Sequence, residues 1–258
     1  MPSTEKIRLA VWKLTSCDGC QLQLLNLEDQ LLALSDSVNF AYFPEGFRKP
    51  DRGRYDISLV EGSITTPHDR ARLLHIRRKS SMVVAMGACA TAGGIQALRN
   101  FNDIRQWMGL VYPRPEAIEA LSHSTPIGDH IHVDLELRGC PVNATQLMAV
   151  ILAGRDGRVP QLPTYSLCME CKRLGHICVS VAGGIPCMGP VTQAGCGALC
   201  PAVGRGCYGC FGPCDTANIA ALRRIWLVRM GLTPERVQRA FQGINAWAKP
   251  FRRESEPL

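Results

Sequence analysis

The chain lacks several features that would have settled its class at once. No uninterrupted apolar run approaches the roughly 20 residues a membrane-spanning helix needs, so no transmembrane segment is expected. The first residues, Met-Pro-Ser-Thr-Glu-Lys-Ile-Arg-Leu-Ala-Val-Trp, hold no apolar signal core, no twin arginine and no small-residue cleavage site, so a cytoplasmic location is expected. Nucleotide fingerprints are missing too. Gly93-Gly94 and Gly183-Gly184 lie outside any strand–GxGxxG–helix context, and there is no P-loop. Aromatics make up only 6% of the chain and do not interleave with the cations. Arg70, Arg72, Arg77, Arg78 and Lys79 therefore read as a solvated or subunit-facing helix surface, and the formal charge of +7 does not call for nucleic acid.

Cysteine is what the chain has in excess: thirteen in 258 residues, nine of them between Cys168 and Cys214. That stretch runs through Cys168-Met-Glu-Cys171, Cys178, Cys187, Cys196-Gly-Ala-Leu-Cys200-Pro201, Cys207-Tyr-Gly-Cys210 and Cys214, with glycine and proline in most of the gaps. It has few large apolar side chains, so it is expected to be held by something bound to sulfur rather than by a core of its own. A reducing compartment disfavours disulfides and points to metal.

Ahead of this stretch the pattern alternates. Strands are predicted at 6–14, 38–43, 56–60, 81–86 and 133–137. Helices are predicted at 21–34, from Thr66-Pro67, at 92–108 and at 143–153. Such alternation defines an α/β fold, a flavodoxin-like doubly wound parallel sheet of order 2-1-3-4-5. Residues 1–157 form this domain. Residues 158–258, entered through the linker Val159-Pro-Gln-Leu-Pro163, form a cysteine-rich, mostly irregular domain with C-terminal helices. Two helices with basic faces are predicted at 217–230 and 233–247, and the tail from Lys249 is expected to be loose without a partner.

The strand ends carry the remaining cysteines. Cys17 and Cys20 follow the first strand, Cys89 the fourth and Cys140 the fifth, while Glu61 closes the third. In the 2-1-3-4-5 order these ends are contiguous, on the side where such sheets bind ligands. The adjacent glycines suit a bulky group approached closely by backbone. Structural zinc sites pair two close CxxC motifs. Here the pairs Cys17/Cys20, Cys168/Cys171 and Cys207/Cys210 are completed by single, irregularly spaced cysteines, twice as Cys-Pro, which suits iron–sulfur clusters. Twelve cysteines make three sets of four with one spare.

The ordered set Cys17-Asp-Gly-Cys20-Gln-Leu-Gln-Leu-Leu, Val60-Glu61-Gly62-Ser-Ile, Gly87-Ala-Cys89-Ala-Thr-Ala-Gly-Gly, Gly139-Cys140-Pro and Cys187-Met-Gly-Pro-Val-Thr resembles the small, electron-transfer subunit of nickel–iron hydrogenases over nearly the whole chain. The branch it resembles is cytoplasmic and multi-subunit, of the NAD(P)-linked, sulfhydrogenase delta or F420-non-reducing type. The resemblance implies three 4Fe-4S clusters: a proximal one on Cys17, Cys20, Cys89 and Cys140, a distal one on Cys168, Cys171, Cys178 and Cys187, and a medial one on Cys196, Cys200, Cys207 and Cys210. Cys214 competes with Cys200 for the last place. Cys168 stands where periplasmic members have histidine, so His176 is read as a surface residue or a neighbour of the site. Glu61 resembles a family glutamate near the proximal cluster, in proton movement or hydrogen bonding; a plain strand-end carboxylate is the alternative.

The implied partners are a large subunit carrying the nickel–iron centre, where the enzyme's catalytic site would lie, and diaphorase-type flavin/iron–sulfur subunits using NAD(P) or polysulfide. Two other readings stay open: the iron–sulfur subunit of a related quinone or ferredoxin oxidoreductase, and a stand-alone ferredoxin-type carrier. The quinone reductase relative carries a tandem cysteine pair and one cluster, unlike this chain.

Overall fold

A computed structural model describes residues 6–46, 50–51 and 53–255. Met1–Glu5, on which part of the expectation about a leader rests, and Glu256–Leu258, the end of the tail, lie outside the described residues.

Five parallel strands form one sheet: β1 (Ile7–Lys13), β2 (Val38–Tyr42), β3 (Tyr55–Glu61), β4 (Ser80–Met86) and β5 (Leu135–Leu137), in the order β2-β1-β3-β4-β5. Period-two alternation sends Leu9 and Val11 of β1, with Val84 and Met86 of β4, to one face. Ala10 and Trp12, with Val83 and Ala85, go to the other. Both faces are covered, as parallel sheets require. The first packs on α1 (Gly19–Leu25), α2 (Asp29–Ser35) and α6 (Ala144–Arg155) through Leu24, Leu34, Leu147, Val150 and Ile151. The second packs on α3 (Pro67–Lys79) through Leu73 and Ile76.

Helix α3 starts as its sequence predicts. Thr66 accepts from Asp69 N while Asp69 accepts from Thr66 N, and Pro67 occupies the first turn. Its cations are not a solvated surface throughout. Arg72 donates to Lys13 O and Tyr42 Oη, and Arg77 to Asp134 and to the carbonyls of Ser80 and Ser81.

Several predicted elements are broken up. The helix expected at 21–34 is two, α1 and α2, because Glu28 takes φ +48° between them. The helix expected at 92–108 is α4 (Gly87–Ala92), a 3₁₀ stretch (Ile95–Phe101) and α5 (Ile104–Val111); Gly93 and Gly94, both at positive φ, separate the first two.

Past α6 the chain runs without regular structure to α7 (Leu167–Arg173), α8 (Val179–Gly183) and α9 (Leu199–Ala202). Then come α10 (Ile219–Arg224), a π-helical turn (Ile225–Arg229), α11 (Pro234–Phe241) and α12 (Lys249–Ser255). The tail expected to be loose is therefore α12, with Phe251 and Ser255 buried and Ser255 Oγ donating to the carbonyls of Phe241 and Phe251. The cysteine-rich stretch does have an apolar core. Leu167, Met188 and Val191 pack with Leu222, Trp226, Val237, Phe241 and Phe251, so the helices behind it supply most of the bulk.

Candidate iron–sulfur sites

The loops at the carboxyl ends of the strands are stitched together before any ligand is considered. Leu14 N donates to Glu61 O at 2.8 Å, Thr15 pairs with Ser63, and Ile64 pairs with Thr125. Asp18, at φ +67°, turns the chain from β1 into α1 and is ion-paired with Lys13 at 2.5 Å.

In this frame the charges of Cys17, Cys20, Cys89 and Cys140 act on one another. Burial raises the Cys20 thiol pKa, and the charges of Glu61, Cys89 and Cys140 add to it. Burial pushes Cys89 up to about 11, helped by Cys140, Cys17 and Glu61, and it raises Cys140, helped by Cys17 and Glu61. The backbone comes close to these sulfurs. A Cβ on Gly87 (φ +86°) would collide with Cys20 Sγ, and one on Gly94 would lie 2.5 Å from Cys89 Sγ.

Glu61 is buried at the centre of this end of the sheet. Its carboxylate accepts from Cys20 N at 3.2 Å and from Gln21 Nε2 at 2.9 Å, and burial raises its pKa. Sequence reasoning missed Gln21, which is 1% exposed, bridges Glu61 and Asp18, and keeps a buried Oε1 without a partner among the described residues. It also missed Gln96, which donates to Thr15 O at 2.9 Å while its Oε1 lies 3.5 Å from Cys89 Sγ. Gln21 directly follows Cys20 in the motif and could have been marked; Gln96 carries no such signal.

A second group lies in the C-terminal half. Burial pushes Cys168 up to about 11, with Cys187, Cys171 and Cys178 adding to it. Burial also raises Cys171, with Cys187 and Cys178 acting on it. Cys187 Sγ accepts from Gly189 N at 3.4 Å and Cys207 N at 3.2 Å. Cys178 is exposed.

The third group, Cys196, Cys200, Cys207 and Cys210, expected together, is linked by the charges its members exert on one another. Burial pushes Cys210 up to about 12, and Cys196, Cys200 and Cys140 act on it. Burial also takes Cys207 to about 12, with Cys187 and Cys210 contributing, while Gly209 N donates to its sulfur at 3.3 Å. Cys196 is raised by burial, then by Glu170 and Cys200. Glu170, in sequence a mere spacer between two cysteines, accepts from Gly195 N and Ala198 N and so shapes the loop that presents Cys196. Cys214 is buried, and its Sγ lies 3.9 Å from Pro190 O. His176 is half-buried, with its backbone N bonded to Cys171 O.

Buried thiols with raised pKa stay protonated unless a cation offsets the charge of the thiolate. Bound iron would supply that charge, and N–H donors aimed at sulfur, with glycines that leave it room, suit a cluster. Among the described residues no three His, Cys, Asp or Glu side chains form a group that could hold a single metal ion. No helix among the described residues is long and apolar enough to cross a membrane.

A doubly wound sheet with thiols at its strand ends and a thiol-rich second half defines a class of redox subunit. Residues 17–154 match the family described as NADH ubiquinone oxidoreductase, 20 Kd subunit. The chain is 33% identical to sulfhydrogenase 2 subunit delta of Pyrococcus furiosus, over 93% of this chain and 100% of that protein. It is 32% identical to a subunit of the F420-non-reducing hydrogenase vhu of Methanococcus voltae, over 82% of this chain and 84% of that protein. A chain of an NAD+-reducing [NiFe]-hydrogenase in the H2-reduced state superposes with a TM-score of 0.57 at 31% identity, covering 62% of this chain and 96% of that one. The fold also matches a Ni-Fe-Se hydrogenase chain from Desulfomicrobium baculatum, with a TM-score of 0.55 at 20% identity, covering 82% of this chain and 96% of that one. The chain belongs to this oxidoreductase family and, within it, to the small subunits of nickel–iron hydrogenases.

Proposed function

We propose that this small subunit serves electron transfer in a cytoplasmic nickel–iron hydrogenase and holds three 4Fe-4S clusters. Cys17, Cys20, Cys89 and Cys140 would hold the proximal one. Cys196, Cys200, Cys207 and Cys210 would hold the medial one, and Cys168, Cys171, Cys178 and Cys187 the distal one. When bound, such clusters supply one-electron acceptance and release at potentials set by hydrogen bonds and exposure. The electrons would pass between a nickel–iron site on a large subunit and a flavin/iron–sulfur partner that uses NAD(P) or polysulfide. The division between domains would fall between residues 157 and 158.

One observation carries this reading: the thiol groups adjoin in series. Cys207 N of the third donates to Cys187 Sγ of the second at 3.2 Å, and the charge of Cys140 of the first acts on Cys210 of the third. Glu61, Gln21 and the N–H groups of Gly189, Cys207 and Gly209 would set the polarity around the sulfurs. The family's name is that of a quinone reductase subunit, yet its match ends at residue 154, before the cysteine-rich half. The stretch Cys168–Cys214 lies too far from either end to fall outside a match over 93% of the chain to the sulfhydrogenase relative, which favours the hydrogenase reading.

The test is anaerobic purification from the native host, counting metals and identifying copurifying chains. About twelve irons per chain, with nickel in a partner, are expected. About four irons per chain, or zinc in place of iron, would overturn the three-cluster reading.

A further inference from the structure

The chain's charge is concentrated at its end. From Ala217 to Leu258 there are eight Arg and Lys against three Glu, so this stretch contributes +5 of the total +7. The structure gathers part of it into a groove of about 700 Å³ between α10, the π turn, α11 and α12. Its floor is apolar, with Ala220, Leu227, Val228 and Val237, and Arg223, Arg224 and Arg253 stand in its walls. No cysteine lines it.

Two features set this groove apart from an ordinary basic surface. Arg223 is neutralised by Glu254 at 3.0 Å, but Arg224 and Arg253 are exposed and form no ion pair among the described residues. The π turn, a geometry often found at functional positions, holds Trp226 1% exposed in the core while Val228 stands 76% exposed. An exposed β-branched side chain in one groove with two guanidiniums that have no ion pair among the described residues is a surface that gains from being covered.

We propose that this groove binds an acidic amphipathic segment of a partner protein, its apolar side chains on Val228 and Leu227 and its carboxylates against Arg224 and Arg253. A cleft with an apolar floor fits a peptide better than it fits a flat anionic membrane. Bidentate guanidinium–carboxylate pairing supplies the selectivity for acid.

The test uses the full-length, iron-loaded chain and a fluorescent synthetic peptide of about four helical turns, leucine on one face and glutamate on the other. The same peptide with lysine for glutamate, and vesicles rich in phosphatidylserine, are the controls. The glutamate peptide binds and the lysine peptide does not. Arg224→Glu with Arg253→Glu weakens binding roughly tenfold or more, and added salt weakens it in the wild type. Val228→Asp weakens it without touching the arginines. Should the double reversal disturb folding, judged by circular dichroism, Arg224→Gln with Arg253→Gln gives the same direction with a smaller loss. Failure of the glutamate peptide to bind, equal binding of both peptides, unchanged affinity in the arginine variants, or vesicle binding that the peptide does not displace would each overturn the proposal.

Discussion

At residue scale, Gly87 and Cys214 are the most informative positions. Gly87 takes a left-handed conformation, and any Cβ there meets the Cys20 sulfur, so Gly87→Ala combines backbone strain with a direct clash. The variant is expected to lose about four irons while keeping the far-ultraviolet signature of its sheet; full iron content would show that Cys20 is not where a cluster binds. For the thirteenth cysteine, Cys214 Sγ faces the Pro190 carbonyl, whereas Cys200 acts on both Cys196 and Cys210. Cys200→Ser should therefore alter one cluster's electron paramagnetic resonance signal and Cys214→Ser none. The opposite pattern would exchange their places in the proposed ligand set.

At the scale of elements, α12 and the β4–β5 edge carry the predictions. Phe251 is 1% exposed and packs edge-on against Phe241 at 5.6 Å, so Phe251→Ala should cost about 3–5 kcal/mol. A thermal midpoint unchanged by that substitution would mean the helix is not docked in solution. Beside β5, Asp134 accepts from Val83 N at 2.7 Å and pairs with Arg77. Burial works against its charge, but the Val83 N–H and the Arg77 guanidinium hold its carboxyl below the ordinary value of 3.8. A depressed carboxyl pKa stabilises the fold above the unfolded-state value, and that stability is lost as pH falls through the folded one. Asp134→Asn should thus cost about 1 kcal/mol at neutral pH, a figure reduced for partial exposure. Urea titrations should show the gap to wild type closing on acidification below 3.8; a gap of constant size would rule out the charge as its source.

Some of these elements were legible in sequence and others were not, for physical reasons. Strands and their order followed from apolar runs that close on Cys17, Glu61, Cys89 and Cys140, because period and topology both act locally. The break at Glu28 was hidden, since leucines continue on either side and only a backbone angle interrupts them. The packed α12 was hidden because its sequence is polar except for Phe251, whose partners Trp226 and Phe241 lie remote in the chain. The strand-end cysteines could be grouped from topology, whereas Gln96 comes to Cys89 through a 3₁₀ turn that no pattern announced.

For the whole molecule, the two halves meet through Arg138, which leaves the end of β5 to donate to Pro213 O at 2.6 Å and to Gln193 Oε1 at 3.3 Å. Phe211 lies against Gly139 in the same seam. The halves differ in what holds their loops. Around Cys17 and Cys20, backbone bonds from Thr15 to Ser63 and from Ile64 to Thr125 tie each loop to its neighbours. From Cys168 to Cys214 the bridges Ser166–Gln193 and Thr192–Pro213 tie the chain in the same way, but the N–H groups of Gly189, Cys207 and Gly209 donate to cysteine sulfur rather than to carbonyls. That contrast sets an order in time for the maturing chain: the stitched collar takes shape on backbone bonds and receives its iron as a finished mould, while in the second half, on a scaffold its own apolar core already holds, the turns bonded to sulfur set only when the metal arrives. Hydrogen exchange on iron-stripped chain should find the amides of Ser63, Ile64 and Thr125 still protected while those of Gly189, Cys207 and Gly209 exchange freely; equal protection of both sets would mean that neither half waits for its metal.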